Sequence, residues 1–73
     1  MRKVDLLDSL SKCGGVDPTT AGVSKFLGVT SETVRTWPNV VTYKVLRGVC
    51  GDFVRLNKKI PQEIVLEMRR LYK

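Results

Sequence analysis

Apolar positions recur along this chain at helical spacing. Val4, Leu7 and Leu10, with Leu6 beside them, give one greasy face to a segment from 3 to 13, and Gly14-Gly15 stops it. Val23 and Leu27 lie four apart, and Val34 and Trp37 three apart, so two further short helices each carry an apolar stripe. Asp17-Pro18 reads as a start signal for the first of these, with Asp17 as cap and Pro18 in the first helical position, and the helix runs to Leu27. Pro61 opens a last helix in which Ile64, Met68, Leu71 and Tyr72 recur on one side.

Residues 38 to 60 admit two readings. Pro38 ends the preceding helix near Trp37, and Asn39 can cap a new one whose Val41, Val45 and Val49 are four apart and which stops at Gly51, with Asp52 starting a further turn. Yet Val40 through Leu46 is rich in strand formers, and Arg47-Gly48 suits a turn, so a β-hairpin at about 40–56 competes with the helix.

Between the two short helices, Gly28 falls where the chain needs a left-handed backbone. Val29 plugs the corner, and Thr30 or Ser31 supplies a hydroxyl to cap the next helix. On these residues, roughly 19 to 38, the segment resembles the helix-turn-helix of phage Cro and repressor proteins. Ser24 departs from it, standing where that family usually has Ala in the tight helix crossing. The resemblance implies that the second helix reads DNA. Set around a helical wheel from Ser31, Arg35 lies near about 40°, Glu32 near about 100° and Thr36 near about 140°, with Trp37 and Val34 on the far side. In the resembled family the matching positions face base edges, which makes Ser31, Glu32, Arg35 and Thr36 the candidate readers. Arg suits guanine O6 and N7, Glu suits cytosine N4, and Ser or Thr suits either partner. The same arc is also what a solvated surface helix looks like, and Arg35 with Glu32 at a three-residue spacing makes an ordinary ion pair. Trp37, on the apolar side, reads as packing rather than as a stacking platform.

Charge changes the picture of the partner. Thirteen Lys and Arg against seven Asp and Glu give +6 on 73 residues, and the excess begins at Arg35: residues 35 to 73 hold nine basic and three acidic side chains. Such a flank attracts a polyanion through counterion release, so binding to DNA should weaken steeply with salt. Thr20 and Thr30, which open the two helices, together with Lys25, Lys44, Lys58 and Lys59, are the candidate phosphate contacts. Arg69, Arg70 and Lys73 suit the last turns of a helix, where positive charge complements the dipole, and Met68 reads as core filling.

Other classes lose support. There is no His, no phosphate-cradling glycine loop and no metal-ligand cluster, so neither an enzyme, a metal nor a cofactor is expected, and no small-molecule ligand either. Cys13 and Cys50 read as buried reduced thiols. No apolar run approaches the roughly 18 residues of a membrane span, and Asp5 and Asp8 interrupt any secretion signal, so a cytoplasmic location on DNA is expected. The expectation is one all-α helix-turn-helix domain over 1–73, of four to five helices, or a winged form if the hairpin prevails. Its expected role is that of a sequence-specific repressor, dimeric on a pseudo-palindromic operator and excluding polymerase sterically. An architectural excisionase that bends DNA with a wing, or an interaction module of the antirepressor or antitoxin kind, are the alternatives.

Overall fold

A computed structural model of the chain describes residues 1–72, and these form five helices: α1 Lys3–Gly14, α2 Thr20–Leu27, α3 Ser31–Arg35, α4 Tyr43–Arg55 and α5 Gln62–Leu71. Lys73 lies outside the described residues. One core joins all five: Leu6, Leu7 and Leu10 from α1, Val23 and Leu27 from α2, Val34 from α3, Val41 just ahead of α4, Leu46, Val49 and Phe53 within it, and Ile64 from α5. Phe26 meets Phe53 edge-on, with ring centroids 5.7 Å apart, which ties α2 to α4.

The ends of the helices follow from local chemistry, with two departures from expectation. Thr19, not Asp17, caps α2: its hydroxyl accepts from the Gly22 N–H at 3.0 Å, and its backbone is extended. Asp17 instead folds over the first turn, where its carbonyl would lie 2.5 Å from any Cβ at position 22, so the Asp17-Pro18 loop needs Gly22 to close. In α1 the core stripe is Leu6, Leu7 and Leu10, and Val4, about 100° off that stripe, is 61% exposed rather than packed. Gly15 at φ 65° terminates α1 as expected.

Within residues 40–56 the stretch Tyr43–Arg55 is a helix, and no hairpin wing is present among the described residues. Leu46, Val49 and Phe53, at spacings of three and four, bury one face completely, and a strand could not place all three on one side. The strand character of Val40 and Val41 is satisfied differently. Val40 forms an isolated antiparallel bridge with Arg2, Lys3 N–H donates to the Asn39 carbonyl at 2.8 Å, and Val41 N–H donates to the Met1 carbonyl at 2.9 Å. Because 39–41 is extended in this way, the cap of α4 is Thr42 and not Asn39; its hydroxyl accepts from Val45 N–H.

Gly51 does not end α4, and Asp52 starts no new turn; the helix runs on to Arg55, and Asn57 at φ 57° turns the chain out of it. Gly48 and Gly51 are therefore interior helical glycines whose absent Cβ would meet nothing within 4 Å. Gly51→Ala is expected to raise stability by about 0.5–1 kcal/mol, since alanine restricts the unfolded chain and clashes with nothing. Chemical denaturation with an unchanged slope and a higher midpoint checks this.

Helix α5 starts one residue after Pro61 and carries Ile64 into the core, with Met68 and Leu71 half-buried. Tyr72 lies just past its end and is exposed, resting against Tyr43 with ring centroids 5.5 Å apart. An ion-pair cluster ties this helix to the start of the chain: Glu67 accepts from Arg70 at 2.6 and 3.0 Å and from the Met1 ammonium at 2.7 Å. Arg70 first, and the ammonium second, hold the Glu67 carboxyl down at about 2, below its ordinary 4.5. The pair's stabilisation is thus complete above about pH 4.5 and is lost as pH falls toward 2. Glu67→Gln is expected to cost about 1 kcal/mol at neutral pH, held to that size by solvent screening of the exposed Arg70, and only a small part of that near pH 2. Denaturation midpoints of the two proteins should converge in acid.

No helix among the described residues is long and apolar enough to cross a membrane. Both cysteines are free; Cys50 is half-buried, but Cys13 is exposed instead of buried. The reason lies in Gly14, beneath which Phe26 packs so closely that a Cβ there would stand 2.6 Å from the ring. The end of α1 makes its contact through Gly14, and Cys13 is left at the side.

Candidate nucleic-acid interface

Helix α2 ends at Gly28, whose φ of 73° demands a residue without a Cβ or accepts the strain of one. Its N–H donates back to the Lys25 carbonyl at 3.3 Å, and Val29 N–H donates to the Ser24 carbonyl at 3.0 Å, which closes the end of the helix. Arg55, arriving from α4, donates to the Leu27 carbonyl at 2.8 Å and pairs with Asp52. Two devices therefore hold the corner: a local glycine turn and a distant guanidinium. Ser24 is buried and donates its hydroxyl to the Ala21 carbonyl, so the extra oxygen at this close-packed position is satisfied within its own helix.

Three residues later the chain enters α3. Thr30 is the cap, accepting from Thr33 N–H, and its hydroxyl also contacts that of Thr33 at 3.0 Å. Val34 is wholly buried, while Ser31, Glu32, Thr33, Arg35 and Thr36 are exposed. The regular helix is shorter than the 31–37 expected, because Pro38 disfavours helical backbone at Trp37. The last turn tightens, with Trp37 N–H reaching the Val34 carbonyl at 3.2 Å. Trp37 is half-buried against the core edge, and Val29 packs beside the core as the corner residue.

All four candidate readers thus share the outward side of α3. Arg35 and Glu32 are joined in an ion pair, with 69% and 62% of their side chains exposed. Thr36 donates its hydroxyl to the Thr33 carbonyl at 3.1 Å and is exposed. Thr33 is exposed on the same helix and was not among the candidates; a Thr in the first turn of a short helix carries no signal that separates it from filler.

The candidate phosphate contacts are more dispersed. Lys44 faces α3 across a cleft of about 390 Å³, with Thr33, Thr36 and Trp37 on one wall and Gly48 on the other. Lys25 is exposed on the last turn of α2. Lys58 and Lys59 lie exposed between α4 and α5, with the Lys58 ammonium 4.4 Å from the centre of the Phe26 ring. Thr20 is half-buried and borders a separate depression with Arg2, Lys3 and Asn39. Thr30 is exposed, but its hydroxyl already serves the α3 cap.

One positioning contact was invisible in the sequence: Lys3 Nζ donates to the Arg35 carbonyl at 3.0 Å. It ties the C-terminal end of α3 to α1, a pairing 32 residues apart that only the fold creates. No group of three or more potential metal ligands occurs among the described residues. No protein family, curated protein or solved structure matches this chain.

Proposed function

We propose that α2 and α3 act as a helix-turn-helix, with α3 lying in the major groove of double-stranded DNA. Ser31, Glu32, Arg35 and Thr36 then meet base edges, and Lys44, flanking the same helix, meets the backbone. The observation that carries this reading is the division of α3 into a single buried apolar anchor, Val34, and an outward face made wholly of polar side chains. A net charge of +6 supplies the electrostatic attraction such binding needs. Lys25, Lys58, Lys59 and the Thr20 and Thr30 helix starts complete the proposed backbone contacts, positioning the protein without specifying sequence.

In this reading two chains occupy a pseudo-palindrome whose half-sites lie about one helical turn, ~34 Å, apart, and the bound dimer represses by covering a promoter in the bacterial cytoplasm. The test is selection of bound fragments from random duplexes, with stoichiometry measured on the winning site. A recurrent palindrome bound by two chains is the expected result. Enrichment of no sequence removes the proposal and leaves α3 as a packing scaffold for a protein partner.

A further inference from the structure

On the flank of α4 turned away from α3, α4 and α5 diverge to leave an open groove of about 500 Å³. Its floor is apolar: Cys50, Ile60, Val65 and Met68, with the Cys50 and Met68 sulfurs 3.1 Å apart. The Tyr43 and Tyr72 rings, leaning on one another, form one lip. The single charged residue bordering it is Arg69, which is exposed and has no carboxylate partner among the described residues, whereas its neighbour Arg70 is bound to Glu67. The volume is that of a small-molecule site, and concave apolar walls with one placed polar group are how such sites are built.

We propose that this groove binds a small amphipathic carboxylate, with its hydrocarbon body on the Cys50–Met68 floor and its anionic head paired with Arg69. Charge selects this occupant over a second copy of the chain. A second copy seated here would have to cover Arg69 without an opposing carboxylate on the groove, and two chains that each carry a net charge of +6 repel one another. A guanidinium at the edge of an apolar trough matches a carboxylate in both charge and fork geometry. The site does not rest on the DNA-binding reading, since it uses none of the residues assigned to that face. It was not legible in the sequence, where Tyr43 and Cys50 on α4 and Arg69 on α5 lie far apart along the chain and each has an ordinary structural explanation.

The test uses the full chain with Cys13→Ser, so that Cys50 is the remaining thiol, and as probes decanoate and decylamine below their micelle concentrations and decanol below its solubility limit. Alkylation of Cys50 by the uncharged N-ethylmaleimide is followed above neutral pH, because burial raises this thiol and slows its reaction. Decanoate should slow alkylation saturably by at least about fivefold, and decanol and decylamine by less than about twofold, the charge pair accounting for the difference. Calorimetric titration should give one decanoate per chain. Arg69→Gln, on an exposed position, should remove the preference for decanoate, and Val65→Phe, which fills the floor, should remove binding of all three. Equal protection by the three probes, protection that survives Arg69→Gln, or no decanoate binding in calorimetry overturns the proposal. So does a sedimenting dimer in which Cys50 resists alkylation without any probe, because the groove would then be covered by a second copy.

Discussion

Phe53→Ala is expected to unfold this protein at room temperature. Phe53 is fully buried in the last turn of α4, and its ring is the edge-to-face partner of Phe26 from α2. Truncating such a ring costs about 3–5 kcal/mol, in transfer free energy and in the cavity left behind. A single core in a chain of this length supplies only about 3–5 kcal/mol in total. The two figures are equal in size, so the variant should show neither a cooperative thermal transition nor native helix content by circular dichroism. Phe53→Leu keeps most of the volume and should lose only about 1–2 kcal/mol, remaining folded with a lowered midpoint. A folded Phe53→Ala protein of near-native midpoint would mean that α2 and α4 are held together by something other than this ring pair.

The second large effect concerns recognition. Arg35→Ala should leave the fold intact, because the side chain is exposed and its only partner among the described residues is the similarly exposed Glu32. On a selected operator it should cost about 1–3 kcal/mol of affinity and relax preference at one base pair. Lys58→Ala should behave differently, weakening specific and random duplexes alike and flattening the salt dependence by roughly one counterion. Measuring both variants on both DNAs at several salt concentrations separates the two kinds of contact. Equal losses on specific and random DNA after Arg35→Ala would strike Arg35 from the base readers. The Glu32 partner sharpens the expectation: to fork onto guanine, Arg35 must leave or share that carboxylate, so Glu32→Ala should strengthen non-specific binding while altering sequence preference at its own position.

Much of α1, the corner at Gly28, the Thr30 cap and α5 was legible in the sequence because each rests on short-range rules: an apolar period, a glycine in the left-handed region, a hydroxyl ahead of free N–H groups. The outward set Ser31, Glu32, Arg35 and Thr36 was legible for the same reason, since a helical wheel anchored on Val34 leaves them little choice. What failed was competition between neighbours. Asp17, Thr19 and Asn39, Thr42 are pairs of plausible caps, and which one caps depends on where the chain becomes extended. At Thr42 that is decided by the first residues of the protein pairing with Asn39–Val41. Residues 40–46 hold strand formers and helical spacing at once, and burial of Leu46, Val49 and Phe53 on a single face decided for the helix. The Lys3 bond to α3 and the Arg55 bond to the end of α2 join residues too distant in sequence for any local pattern to register.

Trp37 is the only tryptophan in the chain, and it sits half-buried in the cleft between α3 and α4, beside Thr36 and Lys44. Its fluorescence is consequently an intrinsic optical probe placed within a few side chains of the proposed contact surface. Titrating unlabelled duplex into the native protein should quench or shift that emission, so occupancy becomes measurable in real time without attaching a dye.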